Sequence, residues 1–527
     1  MAFNDLREFI NRLEEQGELV HITTSVDWKY ELTGWIHKSA GMQPVGPAML
    51  FENIKDYPGG RLFSGALANH SRISTLIGLD PKTSHKELVD EFTKRIQNPI
   101  PTKLVAAGPV KENIITGDDI DLYKFPVPYW NPLDGGRYIG TYHGCVTKNP
   151  STGIQNVGAY RMQILDKKSA IVGFLPFTDI GDHFAQCVKN KVNLPMAMVI
   201  GADESVNIVA GMKIEPYISE FDVAGALRGE AIELVKCETI DIEVPANAEF
   251  VIEGIIRIDK TAPEGPFGEY PGYHGGGIRV KPIFEITAIC HRNNPILRGC
   301  VLGKPPTEHH VVMDVVVSSA TMAKFRQGGP EGVIEVNCPP AANSLSMMFI
   351  KMKPRYVGHA RAVGRALFAL GPKSLKYCII VDDDIDILNM GQVLWAMVTR
   401  TQGSRDFEIL PFCPMSRSDP SIPANRGEYS DKVIIDATKK LDYPYNPVYG
   451  GHWAPVCVPP DEVIDLVDCK WELQFGDADK PGLDDEVKKL TDIFEGKFEY
   501  WEKWREKAYA ITEDQMKEEL KRSLPML

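Results

Sequence analysis

The sequence has no CxxC pair, no apolar run long enough to span a membrane and no excess of basic residues. Each absence argues against one class of protein. Its ten cysteines are scattered through apolar surroundings, which predicts reduced core thiols in place of a disulfide framework. No apolar run approaches the roughly 20 residues that cross a bilayer. With 71 acidic against 58 basic residues, the formal net charge of −13 disfavours nucleic acids and anionic membranes as partners.

The first residues, MAFNDLREFINRLEEQG, also lack the order of charged, apolar and small residues that marks a signal peptide. They predict an amphipathic helix that Asn4 caps and that Gly17 ends. Its apolar face is formed by Leu6, Phe9, Ile10 and Leu13. We therefore expect a cytoplasmic protein with no membrane association.

The chain is long, and its pattern of strand and helix signals changes along its length. At 527 residues it has room for several packed domains. Strand and helix patterns alternate in residues 1–115 and again in 306–475, which predicts two α/β domains. Residues 116–305 contain many β-rich runs and predict a barrel or sandwich. Residues 476–527 predict a charged helical tail, which could contact a second subunit or pack on its own domain.

One helical insertion, TDIGDHFAQCVKNK, interrupts the β-rich region. Its predicted buried stripe consists of Ile180, Phe184, Cys187 and Val188. His183 lies in the same helix, and Glu220 precedes the apolar helix FDVAGAL. Taken singly, His183 is explained as a structural histidine and Glu220 as a helix cap.

The densest chemical signal is APEGPFGEYPGYHGGG, residues 262–277. Its Pro and Gly residues exclude a regular helix and leave Glu264 and Glu269 on a shaped loop. A solvated turn that carries surface charge explains this segment equally well when it is taken alone. The triplet of glycines lacks the GxGxxG spacing of a dinucleotide site.

A second signal is NVGAYRMQ, which places Asn156 and Arg161 in a β-type run. Burying an arginine is costly unless it meets an anion, so Arg161 either pairs with a core carboxylate or binds an anionic ligand. A spacing of five puts the two side chains on opposite faces of a regular strand. If both serve one site, the strand must be irregular, and Gly158 is the candidate position.

Together these segments resemble the UbiD family of decarboxylases, which depend on prenylated FMN. The resemblance extends through most of the chain and is carried by NVGAYR, DIGDH, SEFDVAGALRG, PEGPFGEYPGY, VDDDIDI and VLWAMVTR. It implies an α+β multi-domain fold in which a central split β-barrel holds the cofactor between N- and C-terminal α/β domains.

The resemblance also implies how the cofactor is held. Asn156, His183 and Glu220 would bind Mn²⁺ or Mg²⁺ at the cofactor phosphate, with oxygen and nitrogen donors that suit these ions. A K⁺ ion would lie near the backbone oxygens of Val157, Val209, Ala210 and Met212. Lys432 would reach the cofactor. The full set of implied cofactor contacts is Asn156, Val157, Gly158, Ala159, Tyr160, Arg161, Asp182, His183, Met212, Glu220 and Lys432.

The same resemblance makes Arg161, Glu264 and Glu269 the catalytic residues. Arg161 would orient the substrate carboxylate, Glu269 would deliver the proton that replaces CO₂, and Glu264 would set the charge and orientation of Arg161. The modified flavin would form a covalent adduct with an aromatic, heteroaromatic or α,β-unsaturated acid. The reaction would be a reversible, non-oxidative decarboxylation.

Polar residues expected around the substrate are Asp182, Tyr270, His309 and His310, which suggest a substrate with hydroxyl, nitrogen or second acid groups. Expected partners are the small carboxylic acid and CO₂, a flavin prenyltransferase of the UbiX type that supplies the cofactor, and further copies of the chain in a homodimer or larger assembly. Two alternatives remain: a cofactor-binding scaffold subunit of a larger carboxylase, and a flavin reductase built on a split barrel.

The acidic run VDDDIDI suggests a Ca²⁺ site at first sight. It lacks the glycine and the terminal glutamate of an EF-hand loop. It also follows a predicted strand, where carboxylates commonly cap the next helix. We therefore expect a structural role for its carboxylates, which belong to Asp382, Asp383, Asp384 and Asp386.

Overall fold

The computed structural model describes residues 3–215, 217–275, 277–423, 427–446, 452–476, 482–509 and 517. The chain forms two compact units, Met1–Thr438 and Lys439–Leu527. In the described part of the chain, no helix combines the length and the apolar character needed to cross a membrane.

The first segment of the larger unit mixes short strands and helices. Its elements are α1 (Leu6–Glu15), β1 (Leu19–Ile22), α2 (Glu31–Ala40), β2 (Ala48–Phe51), β3 (Arg61–Ser64), α3 (His70–Leu76), α4 (His85–Ile96) and β4 (Lys103–Leu104). Helix α1 buries the predicted apolar face. Its N-cap is Asp5 and not Asn4, because the Asp5 side chain accepts the N–H of Glu8. Gly17 follows the helix with φ +72°.

The second segment contains most of the strands. Its elements are β5 (Asn113–Thr116), β6 (Tyr138–Gly140), β7 (Gly144–Lys148), β8 (Gln155–Gly158), β9 (Met162–Asp166), β10 (Ser169–Val172), α5 (Asp179–Asn190), β11 (Leu194–Ile200), α6 (Glu204–Ala210), α7 (Glu220–Arg228), β12 (Glu233–Lys236), β13 (Glu243–Pro245), β14 (Phe250–Glu264), β15 (Phe267–Gly268), β16 (His274–Gly275), β17 (Arg279–His291) and β18 (Ile296–Arg298).

A nine-stranded antiparallel sheet dominates this segment. Its order is β6-β9-β10-β17-β14-β11-β7-β8, with β5 also paired to β17. The long strands β14 and β17 pair along most of their length, with register shifts at Glu253/Gly254 and Ile256/Thr261. Such irregularities bend and twist a sheet, and here the sheet curls into a half-barrel. The predicted central split barrel is thereby confirmed.

The N-terminal strands form a separate sheet of order β1-β2-β3-β18. Within it β1 pairs parallel with β2, and β3 pairs parallel with β18. Helix α5 is the predicted helical insertion. Its buried residues include Ile180, His183 and Cys187, whereas Val188 is 47% exposed. The prediction for Val188 was wrong because the stripe follows the i, i+3, i+7 spacing, which gives the buried position to His183.

The third segment is the predicted second α/β region. Its elements are α8 (Glu308–Arg326), β19 (Val333–Asn337), β20 (Met347–Met352), α9 (His359–Leu370), β21 (Tyr377–Val381), α10 (Met390–Arg400), α11 (Gly403–Asp406), β22 (Phe407–Pro414) and β23 (Tyr429–Ala437). The sheet order is β19-β20-β21-β23-β22, and its two central pairings are parallel.

The acidic run after β21 binds a buried arginine. Arg400 Nη1 donates to Asp382 Oδ2 at 2.7 Å and to Asp384 Oδ1 at 2.9 Å. Arg400 Nη2 also donates to Asp384 Oδ2 at 3.0 Å. The arginine side chain is 1% exposed. These contacts give both carboxylates the structural role expected of them.

The smaller unit is helical where it is described. It contains α12 (Asp461–Phe475), α13 (Leu483–Gly496) and α14 (Phe498–Tyr509). Helix α12 packs against α13, and Lys497 forms a 3.0 Å ion pair with Glu462. Helices α13 and α14 lie in the predicted helical tail of residues 476–527, whereas α12 precedes it. Residues 477–481, 510–516 and 518–527 of that prediction lie outside the described residues.

Candidate active site

A cavity of about 380 Å³ opens between the half-barrel and the segments that follow it. This volume is within the range of small-molecule sites. Residues of the third segment, including Lys373 and Glu428, complete its wall. Its apolar surface is contributed by Phe174, Leu175, Phe267, Leu302 and Met313.

An arginine bound to two carboxylates lies on the cavity wall. Arg161 Nε donates to Glu264 Oε1 at 2.8 Å, and Nη2 donates to Glu264 Oε2 at 2.9 Å. Arg161 Nη1 donates to Glu269 Oε1. Arg161 and Glu269 line the cavity, whereas Glu264 is fully buried behind them. The structure therefore brings together the three residues that the sequence singled out as catalytic candidates.

Two aromatic residues that the sequence analysis missed support this arrangement. The Tyr138 hydroxyl donates to Glu264 Oε1 at 2.9 Å. The Arg161 guanidinium lies 5.3 Å from the centre of the Phe267 ring, a cation–π contact. Tyr138 begins β6 and Phe267 begins β15, and no local pattern distinguishes them from ordinary core aromatics.

Burial and charge act in opposite directions on this cluster. Burial lowers the pKa of Arg161, but the hydrogen bond to Glu264 and the charges of both glutamates outweigh it and raise the pKa overall. Burial raises the pKa of Glu269 more than the neighbouring Arg161 lowers it. Burial, with the charge of Glu264, also raises the pKa of Tyr138. The arginine is therefore charged, and Glu269 is well suited to carry a proton.

The backbone between Asn156 and Arg161 explains how one short segment places Asn156 on β8 and Arg161 at the cavity. Strand β8 ends at Gly158, and the next residue, Ala159, donates its N–H to Ala210 O at 2.9 Å. A Cβ on Gly158 would lie 2.4 Å from the Tyr160 ring. The five-residue spacing between Asn156 and Arg161 required an irregular strand, and the irregularity is the end of β8 at Gly158. Ala159, Tyr160 and Arg161 then line the cavity.

Asn156 lies on β8 beside a buried carboxylate on α7. Asn156 Nδ2 donates to Glu220 Oε1 at 2.7 Å, and the backbone N–H of Val157 donates to Glu220 Oε2 at 3.0 Å. Asn156 Oδ1 is buried and has no hydrogen-bond partner. Burial raises the pKa of Glu220 to about 7. A buried acceptor without a donor, next to a carboxyl group, is an arrangement that a bound cation would satisfy.

His183 belongs to the same neighbourhood. Its Nδ1 lies 2.9 Å from Thr147 Oγ1, and Thr147 pairs with Asn156 between β7 and β8. Helices α5 and α7 both pack on β8. Burial lowers the pKa of His183, so its imidazole is neutral, as a metal ligand must be. An amide oxygen, a neutral imidazole and a carboxylate are donors of the kinds that hard divalent ions take in proteins.

The backbone oxygens expected near K⁺ lie at the end of α6. Val209 O accepts the N–H of Met212 at 2.9 Å, and Ala210 O accepts the N–H of Ala159. Val157 is buried, and Met212 is partly buried against the same hydrophobic core. These groups adjoin the Asn156–Glu220 pair through Val157.

Three other candidates are hydrogen-bonded to neighbouring protein groups. Asp182 is on the exposed face of α5, where it accepts a hydrogen bond from Gln186 Nε2 at 2.7 Å. Lys432 on β23 is buried, and its amine donates to the backbone oxygens of Lys373 (2.9 Å) and Leu375. Burial lowers its pKa to about 8. His310 Nε2 donates to Tyr270 O at 2.8 Å, and its Nδ1 contacts Thr307. None of the three is among the described residues that line the cavity.

His309 lines the cavity, and its Nε2 is buried without a partner. Burial lowers its pKa to about 3, so the ring is neutral at physiological pH. Its ring centre lies 6.1 Å from that of Tyr270. Burial raises the pKa of Tyr270, whose hydroxyl hydrogen-bonds to Ser416 and Ser418 of the cavity wall.

The fold and the site together define a class of protein: a multidomain enzyme with a curled antiparallel sheet and a buried arginine–carboxylate cluster at the wall of a cavity. Three family models match the chain. They are described as 3-octaprenyl-4-hydroxybenzoate carboxy-lyase N-terminal domain (residues 10–92), Rift-related domain (residues 103–305) and C-terminal domain (residues 310–437).

Individual relatives cover nearly the whole chain. A phenolic acid decarboxylase of Bacillus subtilis is 33% identical over 90% of this chain and 99% of its own. The vanillic acid decarboxylase of Sedimentibacter hydroxybenzoicus, in open form, has a TM-score of 0.80 at 32% identity, covering 90% of this chain and 100% of that one. The UbiD-class enzyme HmfF of Pelotomaculum thermopropionicum, in complex with FMN, has a TM-score of 0.79 at 29% identity, covering 88% and 99%.

The chain belongs to the UbiD family. It is a carboxy-lyase, an enzyme that removes a carboxyl group as CO₂. The family resemblance inferred from the sequence motifs is thereby confirmed.

Proposed function

We propose that the protein catalyses the reversible, non-oxidative decarboxylation of an aromatic, heteroaromatic or α,β-unsaturated carboxylic acid with prenylated FMN as cofactor. The observation that carries the proposal is the Arg161 guanidinium held between Glu264 and Glu269 at the wall of the cavity. HmfF, a relative of the same class, has been solved with FMN and, in an evolved dimeric form, with prFMN.

The cavity has a lining that suits a flat ligand with several polar edges. Four cavity residues carry a buried polar atom without a hydrogen-bond partner: Tyr142 Oη, His143 Nδ1, Asn207 Oδ1 and His309 Nε2. Because buried polar atoms are normally paired, these atoms fit the polar groups of a flavin and a substrate between apolar walls. When bound, prenylated FMN supplies the covalent electron sink that loss of CO₂ from an sp² carbon requires.

The protein residues then divide the work. Arg161 binds the substrate carboxylate and fixes its direction, because Glu264 holds two of its N–H groups from a fully buried position. We assign to Glu269 Oε2 the proton that replaces CO₂, since Oε1 already accepts from Arg161. The raised pKa of Glu269 favours the protonated form. In the carboxylation direction the same oxygen accepts the proton.

Asn156, His183 and Glu220 are proposed to hold Mn²⁺ or Mg²⁺ against the cofactor phosphate. The unpaired Asn156 Oδ1 supports this assignment. A K⁺ ion is proposed at the backbone of Val157, Val209, Ala210 and Met212. Lys432 and Asp182 stay predicted cofactor contacts.

The substrate is proposed to carry a hydroxyl group or another polar group on its ring. The neutral His309 presents an unpaired Nε2 to the cavity, and the serines bonded to Tyr270 line the same wall. The relatives named for phenolic and vanillic acids act on hydroxylated aromatic acids. His310 would act indirectly, by fixing the backbone of Tyr270.

The oligomeric state of the enzyme and the source of its cofactor are also proposals. A UbiX-type flavin prenyltransferase would provide the cofactor. The chain would work in the cytoplasm as a homodimer or larger homo-oligomer. Domains with boundaries near 1–115, 116–305, 306–475 and 476–527 remain the predicted division of the chain.

The test is reconstitution of the purified chain with prenylated FMN or with ordinary FMN, in the presence of Mn²⁺ and K⁺. A panel of hydroxybenzoic, heteroaromatic and acrylic acids is then incubated with ¹³C-bicarbonate. We expect label exchange into at least one acid, and only with the prenylated cofactor. Activity with ordinary FMN and a reductant would favour a flavin reductase, and cofactor binding without exchange would favour a scaffold subunit.

A matched pair of variants tests the proton assignment. Glu269→Gln should lower exchange by about 10²-fold or more, the scale of a lost general acid. Glu91→Gln, which changes a surface glutamate paired with Arg95 on α4, should leave it unchanged. Equal activity of the two variants would contradict the role of Glu269.

A further inference from the structure

Three helices converge on one buried carboxylate away from the Arg161 cluster. His70 is the first residue of α3, His85 the first of α4, and Asp314 lies within α8. His70 Nε2 is 2.8 Å from Asp314 Oδ2, and His85 Nε2 is 3.1 Å from the same oxygen. In the described ranges, this is the one group of three His, Cys, Asp or Glu side chains whose ligand atoms all lie within 4.8 Å of one another.

The carboxylate of this cluster is fixed from behind. Asp314 Oδ1 accepts the backbone N–H of Cys338 at 2.8 Å and the hydroxyl of Ser318 at 3.1 Å. These contacts direct Oδ2 towards the two imidazoles. A ligating carboxylate whose second oxygen is hydrogen-bonded is typical of metal sites.

The outer nitrogen of His85 gives an independent indication. His85 Nδ1 is buried without a hydrogen-bond partner, although Glu335 Oε1 lies only 3.6 Å away. If a metal occupies Nε2, the ring proton must reside on Nδ1, where it points to this carboxylate. An imidazole between a metal and a carboxylate is a recurring arrangement. Without a metal, a protonated His85 would instead direct one N–H to Asp314 and the other to Glu335, and these two carboxylates outweigh burial and raise its pKa to about 9.

We propose that His70 Nε2, His85 Nε2 and Asp314 Oδ2 bind one divalent transition-metal ion, with Zn²⁺ as its type. Two imidazoles and one carboxylate form a donor set that suits Zn²⁺ and its neighbours. The His85 and Asp314 side chains are at most 1% exposed, whereas His70 is 30% exposed. Water therefore reaches the fourth position from the side of His70.

The position of this site gives it a structural consequence. Helix α8 also carries His309 and Met313, which line the cavity. An ion bound by His70, His85 and Asp314 would tie α3 and α4 to α8 and so fix the helix that presents His309. The site lies on elements other than β8, α5 and α7, which carry Asn156, His183 and Glu220.

The test measures Zn²⁺ uptake by the full-length chain after treatment with a chelator. Wild type, His70→Gln and His21→Gln are titrated with Zn²⁺ by calorimetry, and bound metal is counted after gel filtration. His70 is chosen because it is partly exposed, so its loss leaves the core intact. His21, which is exposed and contacts Glu14 and Glu52, is the matched control.

We expect wild type and His21→Gln to bind one more equivalent of Zn²⁺ than His70→Gln, and to gain a rise in Tm with Zn²⁺ that His70→Gln lacks. Equal uptake and equal Tm shifts in all three proteins would overturn the proposal and leave a hydrogen-bonded triad. A second reading needs no variant: Co²⁺ should give the visible absorption of a tetrahedral centre, removable by Zn²⁺. Wild-type protein without that absorption would also overturn the proposal.

Discussion

At the scale of single residues, Arg161 is held by a chain of contacts that begins with the buried Tyr138. Tyr138 donates to Glu264, and Glu264 holds Arg161 through two hydrogen bonds. A residue that never meets the substrate thus decides where the guanidinium points. The position of Arg161 should be sensitive to Tyr138.

Tyr138→Phe removes one hydrogen bond to a charged acceptor, worth about 1.5 kcal/mol or more. We expect kcat/KM for decarboxylation to fall by about tenfold, with the larger part in KM if the guanidinium loses its alignment for the carboxylate. Tyr377→Phe, at a partly exposed tyrosine on β21, is the control. Steady-state kinetics of both variants on the same acid measure the effect. Equal kcat/KM values for the two variants would contradict the positioning role of Tyr138.

His309 provides a pH prediction. Burial lowers its pKa to about 3, against about 6.5 in an unfolded chain. Between these values the unfolded state binds more protons, so the free energy of unfolding rises with pH through the window and falls on acidification. His309→Asn should therefore lose less stability than wild type between pH 6.5 and about 4.

The control variant is expected to change the pH dependence of stability in the opposite direction. The pKa of His21 is raised, first by its hydrogen bond to Glu52, so its contribution is present at low pH and lost as pH rises. His21→Asn should lose more stability than wild type on acidification. Urea unfolding of the three proteins at pH 7 and pH 5 measures both effects. Parallel curves for His309→Asn and His21→Asn would rule out the assigned directions.

Residue identities were predictable where a charged group stood in an apolar or Gly-rich context. Arg161 drew attention because its burial needs an anionic partner, and Glu264 and Glu269 because a Pro- and Gly-rich segment presents them. The three side chains do meet. Tyr138 and Phe267 carried no such signal, since a strand aromatic is normally core. The direction of Asp182 and Lys432 could not be foreseen, because the contacts that occupy them, Gln186 and backbone oxygens, depend on local packing.

At the scale of elements, the pairing of β14 with β17 leaves no space at Gly254. A Cβ there would lie 2.2 Å from the backbone oxygen of Glu285. Gly254→Ala should destabilise the protein by about 1–3 kcal/mol. Gly34→Ala is the matched change: it lies in the exposed interior of α2 with no atom within 4 Å of the new Cβ. It should stabilise by about 0.5–1 kcal/mol. Chemical denaturation distinguishes the two, and equal shifts would contradict the packing argument.

The loop after β21 depends on one buried arginine. Arg400→Met leaves Asp382 and Asp384 without their bidentate partner, and losing one member of a buried pair costs about 3–5 kcal/mol. Thermal unfolding should show the loss. Added Ca²⁺ should not restore stability to the variant, because the carboxylates serve Arg400. Rescue by Ca²⁺ would favour the metal interpretation of this acidic run.

Elements with a clear period were predictable, and their ends were not. Helix α1 buries all four predicted residues, yet Asp5 replaces Asn4 as its cap. The two side chains stand at adjacent positions and either can accept an N–H, so only the backbone angle decides. Glu264 was expected on a loop but ends β14, because pairing with β17 extends the strand into a Pro-containing segment that local propensity assigns to a turn.

At the scale of the whole molecule, every described residue that lines the cavity precedes Thr438. A chain that ends at Thr438 should therefore keep flavin binding. The helices α12 and α13 expose large apolar side chains, among them Trp471 at 62% and Phe475 at 68%. We expect the truncated chain to form smaller assemblies than the full chain. Light scattering after gel filtration, with flavin absorbance, tests both expectations, and an unchanged number of subunits would exclude residues 439–527 as the oligomer contact.

The domain plan was predictable in outline because strand and helix periods change along the chain. The strand pattern alone did not decide between a barrel and a sandwich, and the split barrel was predicted only through the family resemblance. That choice depends on register shifts such as Glu253/Gly254 and on the long β14–β17 pairing, which are contacts between distant residues that no local pattern records.

The fully buried Glu264 also bears on how enzymes of this type change their substrates. In the proposed mechanism Arg161 binds the substrate carboxylate, so its anchored guanidinium would hold that end of any acid at one fixed point. His309 and the serines bonded to Tyr270 also line the cavity, and they belong to later segments of the chain. Substitutions at these later positions can therefore change which acid is accepted, while the residues proposed to act in catalysis stay the same.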